Sequence, residues 1–339
     1  MLADVILLAV SFAVILAGAL LFTNAVEWLG NKLSLGEGAV GSLLAAVGTA
    51  MPESLIPLVA VLEGAPGSDE VATGAIVGAP FLLATVAMFL VGVAAHAYAK
   101  RRPQGVGLDV HVPTLRRDLG VFLVFFSFGL ALGLGLPDGI KAAGAVVLVG
   151  GYVVYVAATL RGGGEMQSED TLKPLWLHRT PLIFDRTPQD DPPTLLIVAQ
   201  FVVGLAAMVG GAHLFVEEVV TVAESLGAEV LILSLVLAPL ATELPEKANS
   251  FFWVRAGKDT LALGNITGAM VFQSAIPISF GLLFTEWDLD HFGIVSMALG
   301  LAGGAIALIA LVRRREFTLP AVVAWAGLYG VFLAMVIAT

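Results

Sequence analysis

The sequence predicts an all-α polytopic membrane protein whose ten transmembrane helices form two inverted five-helix repeats. Three observations carry that prediction. The 339 residues are 58% hydrophobic and 13% charged, with a mean hydropathy of +0.94, whereas soluble domains are about 25% charged. The apolar residues gather in runs of about 20, the length that crosses a bilayer core, and an open sheet could not satisfy its backbone in lipid. The second half of the chain also repeats the first at a nearly constant offset.

Taken in order, the first run, 4–29, follows Met1-Leu2-Ala3-Asp4, which lacks the positive segment of a cleaved signal, so it is expected to persist as a helix. Run 38–62 is mainly apolar and carries Thr49, Pro52 and Glu53 near its centre, and 71–98 is rich in Gly and Ala. Runs 119–135 and 139–160 are separated by Leu136-Pro137-Asp138, a turn signal. The polar stretch 161–193 carries Pro174, Pro181, Pro188, Pro192 and Pro193 among mixed charges and reads as a linker. Runs 194–224, 229–254, 260–285, 293–312 and 317–338 follow. The organisation is therefore a first repeat over 1–160, a linker over 161–193 and a second repeat over 194–339.

Charge sets the expected orientation. Alternate loops, 161–193 among them, hold 15 of the 17 Lys and Arg residues, and the opposite set holds only Lys141. The positive-inside rule makes 161–193 cytoplasmic and places both termini outside. The outer loops carry Glu63, Asp69, Glu70, Asp138, Glu286, Asp288 and Asp290, a field that attracts cations. The net charge of -10 and the lack of a basic patch argue against nucleic acid as a partner. The expected partners are inorganic cations and the lipid bilayer, with no cofactor; the oligomeric state is open. With no cysteine, disulfides, thiolate metal sites and cysteine nucleophiles are excluded.

The repeat locates the chemistry. An offset of 193 lays Ala241-Thr242-Glu243-Leu244-Pro245-Glu246 on Gly48-Thr49-Ala50-Met51-Pro52-Glu53, and an offset of 190 lays Gly264-Asn265-Ile266-Thr267-Gly268-Ala269 on Gly74-Ala75-Ile76-Val77-Gly78-Ala79. Five helices is an odd number, so the copies lie upside down relative to each other, the architecture of secondary transporters with a site at the repeat interface. Glu53 and Glu246 each follow a proline and lie four residues after Thr49 and Thr242. An ionised carboxylate at bilayer depth costs about 2.5–3.5 kcal/mol, so it persists with a partner or a function. The proline frees carbonyls one turn earlier, and hard oxygens of this kind suit Ca²⁺, Na⁺ or protons.

These residues resemble the G-T-S-L-P-E signature of the two α-repeats in sodium/calcium exchangers of the Ca²⁺:cation antiporter superfamily, of which the chain looks like a divergent member. The second signature, G-N-x-x-G-S-N-I-F-N/D, resembles Gly264 to Gln273 and, eroded, Gly74 to Leu83. The resemblance implies alternating-access exchange, with Glu53 and Glu246 at a central Ca²⁺ site and Thr49, Thr242, Glu243 and Gln273 around it. Where the family has serines this chain has Ala50, Glu243, Ala79 and Ala269; where it has Asn and Asp on the third and eighth helices, this chain has Leu83 and Gln273. The departures place a three-Na⁺ stoichiometry in question and favour H⁺ over Na⁺ as the ion exchanged for Ca²⁺.

Each residue also has a structural reading. The glutamates can serve interhelical hydrogen bonds, the threonines can bond a carbonyl of the preceding turn, and Asn265 and Gln273 can be interhelical glue. Gly74, Gly78, Gly264 and Gly268 suit close helix packing. His213, with Glu217 and Glu218 nearby in sequence, can form a proton relay or sit at an interface. Lys247, four residues after Glu243, either neutralises it in the empty carrier, as a coupling residue, or snorkels to the interface. Rival functions are an intramembrane hydrolase, disfavoured by the lack of HExxH and by the symmetry of the glutamates, a transport-inactive sensor or scaffold, and a monovalent cation/H⁺ antiporter. The chain is expected not to be an enzyme.

Overall fold

The structure, a computed structural model, describes residues 2–32, 53–161, 174–178 and 192–338, with side chains described for all of these except 30, 160, 241 and 244–249. Among the described residues there are ten long helical segments and no strand. They are α1 (Leu2–Lys32), α2 (53–63), α3 (Ser68–Ala97), α4 (Val112–Leu132), α5 (Asp138–Arg161), α6 (Thr194–Leu226), α7 (Val230–Arg255), α8 (Asp259–Phe284), α9 (His291–Arg314) and α10 (Leu319–Ala338). Seven are long and apolar enough to cross a membrane. The end of the bundle at which α6 begins and residues 174–178 dock is called the linker end, and the opposite one the terminal end.

Among the described residues the boundaries follow the apolar runs to within a few residues, with one correction; 38–52 of the second run lies outside them. α4 was expected from 119 but starts at Val112, with Pro113 in its first turn, so Arg116, Arg117 and Asp118 are helical rather than loop. Proline is well suited to a first turn, where its missing N–H has no intrahelical use. The three charges lie at the edge of the apolar run, yet Asp118 is buried.

α1 lies along α6, and the two backbones nearly touch: a Cβ on Gly18 would sit 2.8 Å from the Gly204 carbonyl oxygen, and one on Gly204 would sit 2.7 Å from the Phe22 nitrogen. Small residues allow this approach in lipid, where packing rather than water expulsion drives association. α3 and α7 cross the same way, because a Cβ on Gly74 would meet the Leu231 carbonyl oxygen at 2.6 Å, while Ser234 donates to the Val71 carbonyl at 2.8 Å. Gly74 and Gly78 therefore serve packing as expected; for Gly264 and Gly268 no described atom lies within 4 Å of a built Cβ.

Two cores result. Ile56 and Val59 of α2 join Ile15, Ala75, Phe215 and Ala238 between α1, α3, α6 and α7. A larger one, including Phe81, Phe122, Ile266 and Trp325, unites α3, α4, α8, α9 and α10.

At the linker end, Arg102 Nη2 donates at 2.5 Å to Asp259 Oδ2, which also accepts from Gln104 Nε2 at 3.0 Å and from the Asp109 amide at 2.9 Å. Part of the linker itself is built in. Leu175 is buried beside Ala25 and Ile197, the Trp176 amide donates to Asn24 Oδ1 at 3.1 Å, and the Leu177 amide donates to Gln200 Oε1 at 2.9 Å.

Candidate functional site

The third helix of each repeat is irregular at the equivalent residue. α3 contains Pro80 and passes into a π-helical turn at Leu83–Ala87, and Thr85 Oγ1 donates to the Phe81 carbonyl at 2.7 Å. α8 ends its first half at Gln273 and restarts at Ile276 after a turn over Ser274 and Ala275. Leu83 and Gln273 are partners at the 190-residue offset. Prolines and π-turns disturb the i→i−4 ladder, and such interruptions recur at functional sites.

Four expected site residues have described side chains, and all four are buried: Glu53 is 5% exposed, Thr242 3%, Glu243 1% and Gln273 1%. The structure brings two of them together. Gln273 Nε2 of α8 donates to Glu243 Oε1 of α7 in a short contact. The other amide atom, Gln273 Oε1, is buried without a hydrogen-bond partner among the described residues. Thr242 Oγ1 donates to the Ala238 carbonyl at 3.1 Å, the turn-stabilising arrangement that was the structural alternative for it. Glu53 lies at the first described residue of α2, next to the Leu55 and Met208 core. Thr49 lies outside the described residues, as do the side chains of Glu246 and Lys247, although both of these belong to α7. Among the described residues, no group of three or more His, Cys, Asp or Glu is placed to hold a metal ion.

Two other residues singled out in the sequence find definite partners. His213 Nδ1 pairs with Glu63 of α2 in a short contact, rather than with the glutamates that follow it on α6. Asp290 is the N-cap of α9, accepting from the Gly293 amide at 2.6 Å. Of the acids assigned to the terminal end, Asp69, Asp138, Glu286 and Asp288 line an open cavity of about 790 Å³, together with Lys141, whose Nζ donates to the Glu286 carbonyl.

Sequence reasoning missed Asp118. It is 3% exposed, accepts from Tyr155 Oη at 2.9 Å and from Arg117 Nη2 at 3.0 Å on one oxygen, and accepts from Thr267 Oγ1 at 3.2 Å on the other. A carboxylate two residues after Arg116 looks like loop chemistry, and no signal in the sequence distinguishes it from that.

The sequence profile of the family described as "Sodium/calcium exchanger protein" matches residues 4–161 and 196–338. The chain belongs to the sodium/calcium exchanger family. CaxA of Alkalimonas amylolytica, a protein provisionally named an antiporter, is 25% identical to this exchanger-family chain over 86% of it and 83% of CaxA. The inner membrane protein YrbG of Escherichia coli K12 is 26% identical over 74% of the chain and 70% of YrbG. Among solved structures, the H⁺/Ca²⁺ exchanger CAX superposes with a TM-score of 0.74 at 18% identity, covering 98% of this chain and 82% of that one. The sodium-calcium exchanger NCX_Mj superposes with a TM-score of 0.60 at 17% identity, covering 98% of each chain. The fold of this family member is thus that of membrane exchangers built from inverted repeats.

Proposed function

We propose that this chain is a secondary active cation antiporter working by alternating access, which carries Ca²⁺ in exchange for H⁺, or for Na⁺, through a site between the two repeats. The observation that carries the reading is the buried carboxylate of Glu243 bound by Gln273 across α7 and α8, where each repeat interrupts its third helix. Membership of the exchanger family and the kinship with CaxA support the antiport class.

On this reading Glu53 and Glu246 supply charge to one central cation, with Thr49 and Thr242 nearby, and the carbonyls freed by Pro52 and Pro245 complete its shell. Gln273 Oε1 is a hard oxygen of the kind such a cation takes. Gln273 stands where the family has an acid, and Glu243 stands where it has a serine. A carboxylate thus stands on the seventh helix rather than the eighth, and Gln273 reaches across to it. Alanine at Ala50, Ala79 and Ala269, where the family has serines, removes oxygens that Na⁺ would need and favours H⁺ as the counter-ion. Lys247, one helical turn from Glu243 by spacing, is assigned to neutralise it when no cation is bound. Both termini are assigned outside and 161–193 to the cytoplasm.

Radiolabelled Ca²⁺ uptake into proteoliposomes tests this, with H⁺ and Na⁺ gradients imposed one at a time. Uptake driven by the H⁺ gradient is expected. Uptake driven only by Na⁺ would reverse the coupling assignment, and uptake under neither gradient would remove Ca²⁺ as substrate.

A further inference from the structure

The inner half of α8 carries Gln273 at its end and lies between two neighbours, α7 on one side and α4 on the other. Its bond to α7 is the Gln273–Glu243 contact of the proposed site. Its bond to α4 is made six residues earlier, by Thr267 Oγ1 to Asp118 Oδ2 at 3.2 Å. Six residues advance a helix by about 9 Å and turn it about 240°, so the two side chains leave α8 in different directions, one to each neighbour.

Asp118 is held as firmly as it holds. Tyr155 of α5 donates to it at 2.9 Å, Arg117 donates through Nε at 3.2 Å and Nη2 at 3.0 Å, and the Arg117 guanidinium lies 5.1 Å from the Tyr155 ring centre. Thr267 is fully buried and Asp118 nearly so. A carboxylate taken out of water in this way is stable only with its donors in place, which fixes the rotation of any helix that supplies one. Neither residue is needed to build α8, because Thr267 sits mid-helix with its backbone already bonded.

We propose that Asp118 is a positioning residue for the transport site: through Thr267 it sets the rotation of α8 that brings Gln273 to Glu243. This rests on the assignment of Glu243 and Gln273 to the site, and the test separates the two. Ca²⁺ uptake by the full chain in proteoliposomes is measured for Thr267→Val, Asp118→Asn, Asp118→Ala and Gln273→Ala, with thermal unfolding of each variant recorded in detergent.

Thr267→Val keeps the volume and removes one donor, so KM for Ca²⁺ is expected to rise about three- to tenfold with the maximal rate within about twofold, the size expected for losing one net hydrogen bond. Asp118→Asn, whose amide can accept from Tyr155 and donate to Thr267, is expected to stay near the parent KM, while Asp118→Ala behaves like Thr267→Val or worse. If Asp118→Ala does not fold, Thr267→Val and Asp118→Asn decide. An altered KM in Gln273→Ala with an unchanged KM in Thr267→Val overturns the positioning role and leaves the site reading intact. A Thr267→Val variant that loses only maximal rate or only thermal stability also overturns it. No change in Gln273→Ala overturns the site reading itself.

Discussion

Asp259 and Asp69 occupy the same position in the two repeats, the first turn of the third helix, 190 residues apart. Their surroundings are opposite. Asp259 forms an ion pair with Arg102 in which both side chains are 0% exposed, whereas Asp69 is exposed on the cavity at the terminal end. Removing one partner of a buried pair costs about 3–5 kcal/mol, because the other charge stays buried alone. Asp259→Asn is therefore expected to lower the thermal unfolding midpoint strongly, and Asp69→Asn to leave it nearly unchanged, within about 0.5 kcal/mol. Equal midpoints for the two variants in detergent would show that the pair does not hold the linker end together.

The same residue scale shows what the sequence made legible. Glu53, Glu243 and Gln273 stood out because each interrupts an apolar run, and burial in lipid demands a reason for such a residue. Asp118, Arg102 and Asp259 did not, because they lie at run edges where charge is ordinary. Their burial depends on contacts between segments about 150 residues apart, as from Arg102 to Asp259 or from Asp118 to Thr267, which periodicity does not encode.

At the scale of elements, helix existence was readable and helix detail was not. Wherever the ten runs are described they are helical, because continuous apolar length is the strongest signal a membrane imposes. The π-turn at Leu83 and the break after Gln273 were not readable, since neither carries a proline at the interruption itself; Pro80 precedes one and Pro277 follows the other. Residues 174–178 of the linker were likewise read as spacer, yet they dock on α1 and α6. Gln200 is fully buried, and its Nε2 donates to Asn24 Oδ1 and to the Leu21 carbonyl, each at 2.9 Å. The amide pair is thus oriented to receive the Trp176 and Leu177 N–H groups. A net hydrogen bond is worth about 0.5–1.5 kcal/mol, so Gln200→Leu is expected to speed hydrogen exchange at Leu177 by about two- to tenfold. Unchanged protection there would mean that the turn is held by Leu175 packing alone.

Across the whole molecule, the inverted repeat makes each end of the bundle a counterpart of the other, and charge breaks the equivalence. Arg101, Arg255, Arg313 and Arg314 lie at the linker end, whereas Asp69, Asp138, Glu286 and Asp288 lie at the terminal end. Because the chain has no cysteine, single cysteines report topology cleanly. Asp138→Cys is expected to react with an impermeant maleimide in intact cells, and Arg314→Cys only after permeabilisation; the reverse pattern would invert the proposed orientation.

The central claim is that carboxylates from both repeats share one cation between them. Equilibrium binding of radiolabelled Ca²⁺ to the purified protein in detergent, at neutral pH and without Na⁺, addresses it most directly when the parent is set beside Glu53→Gln and Glu246→Gln. The account predicts one saturable Ca²⁺ per chain in the parent and none in either variant, because a cation in a low-dielectric site does not survive the loss of one of its compensating charges. Saturable binding that persists at parental affinity in either variant would contradict it.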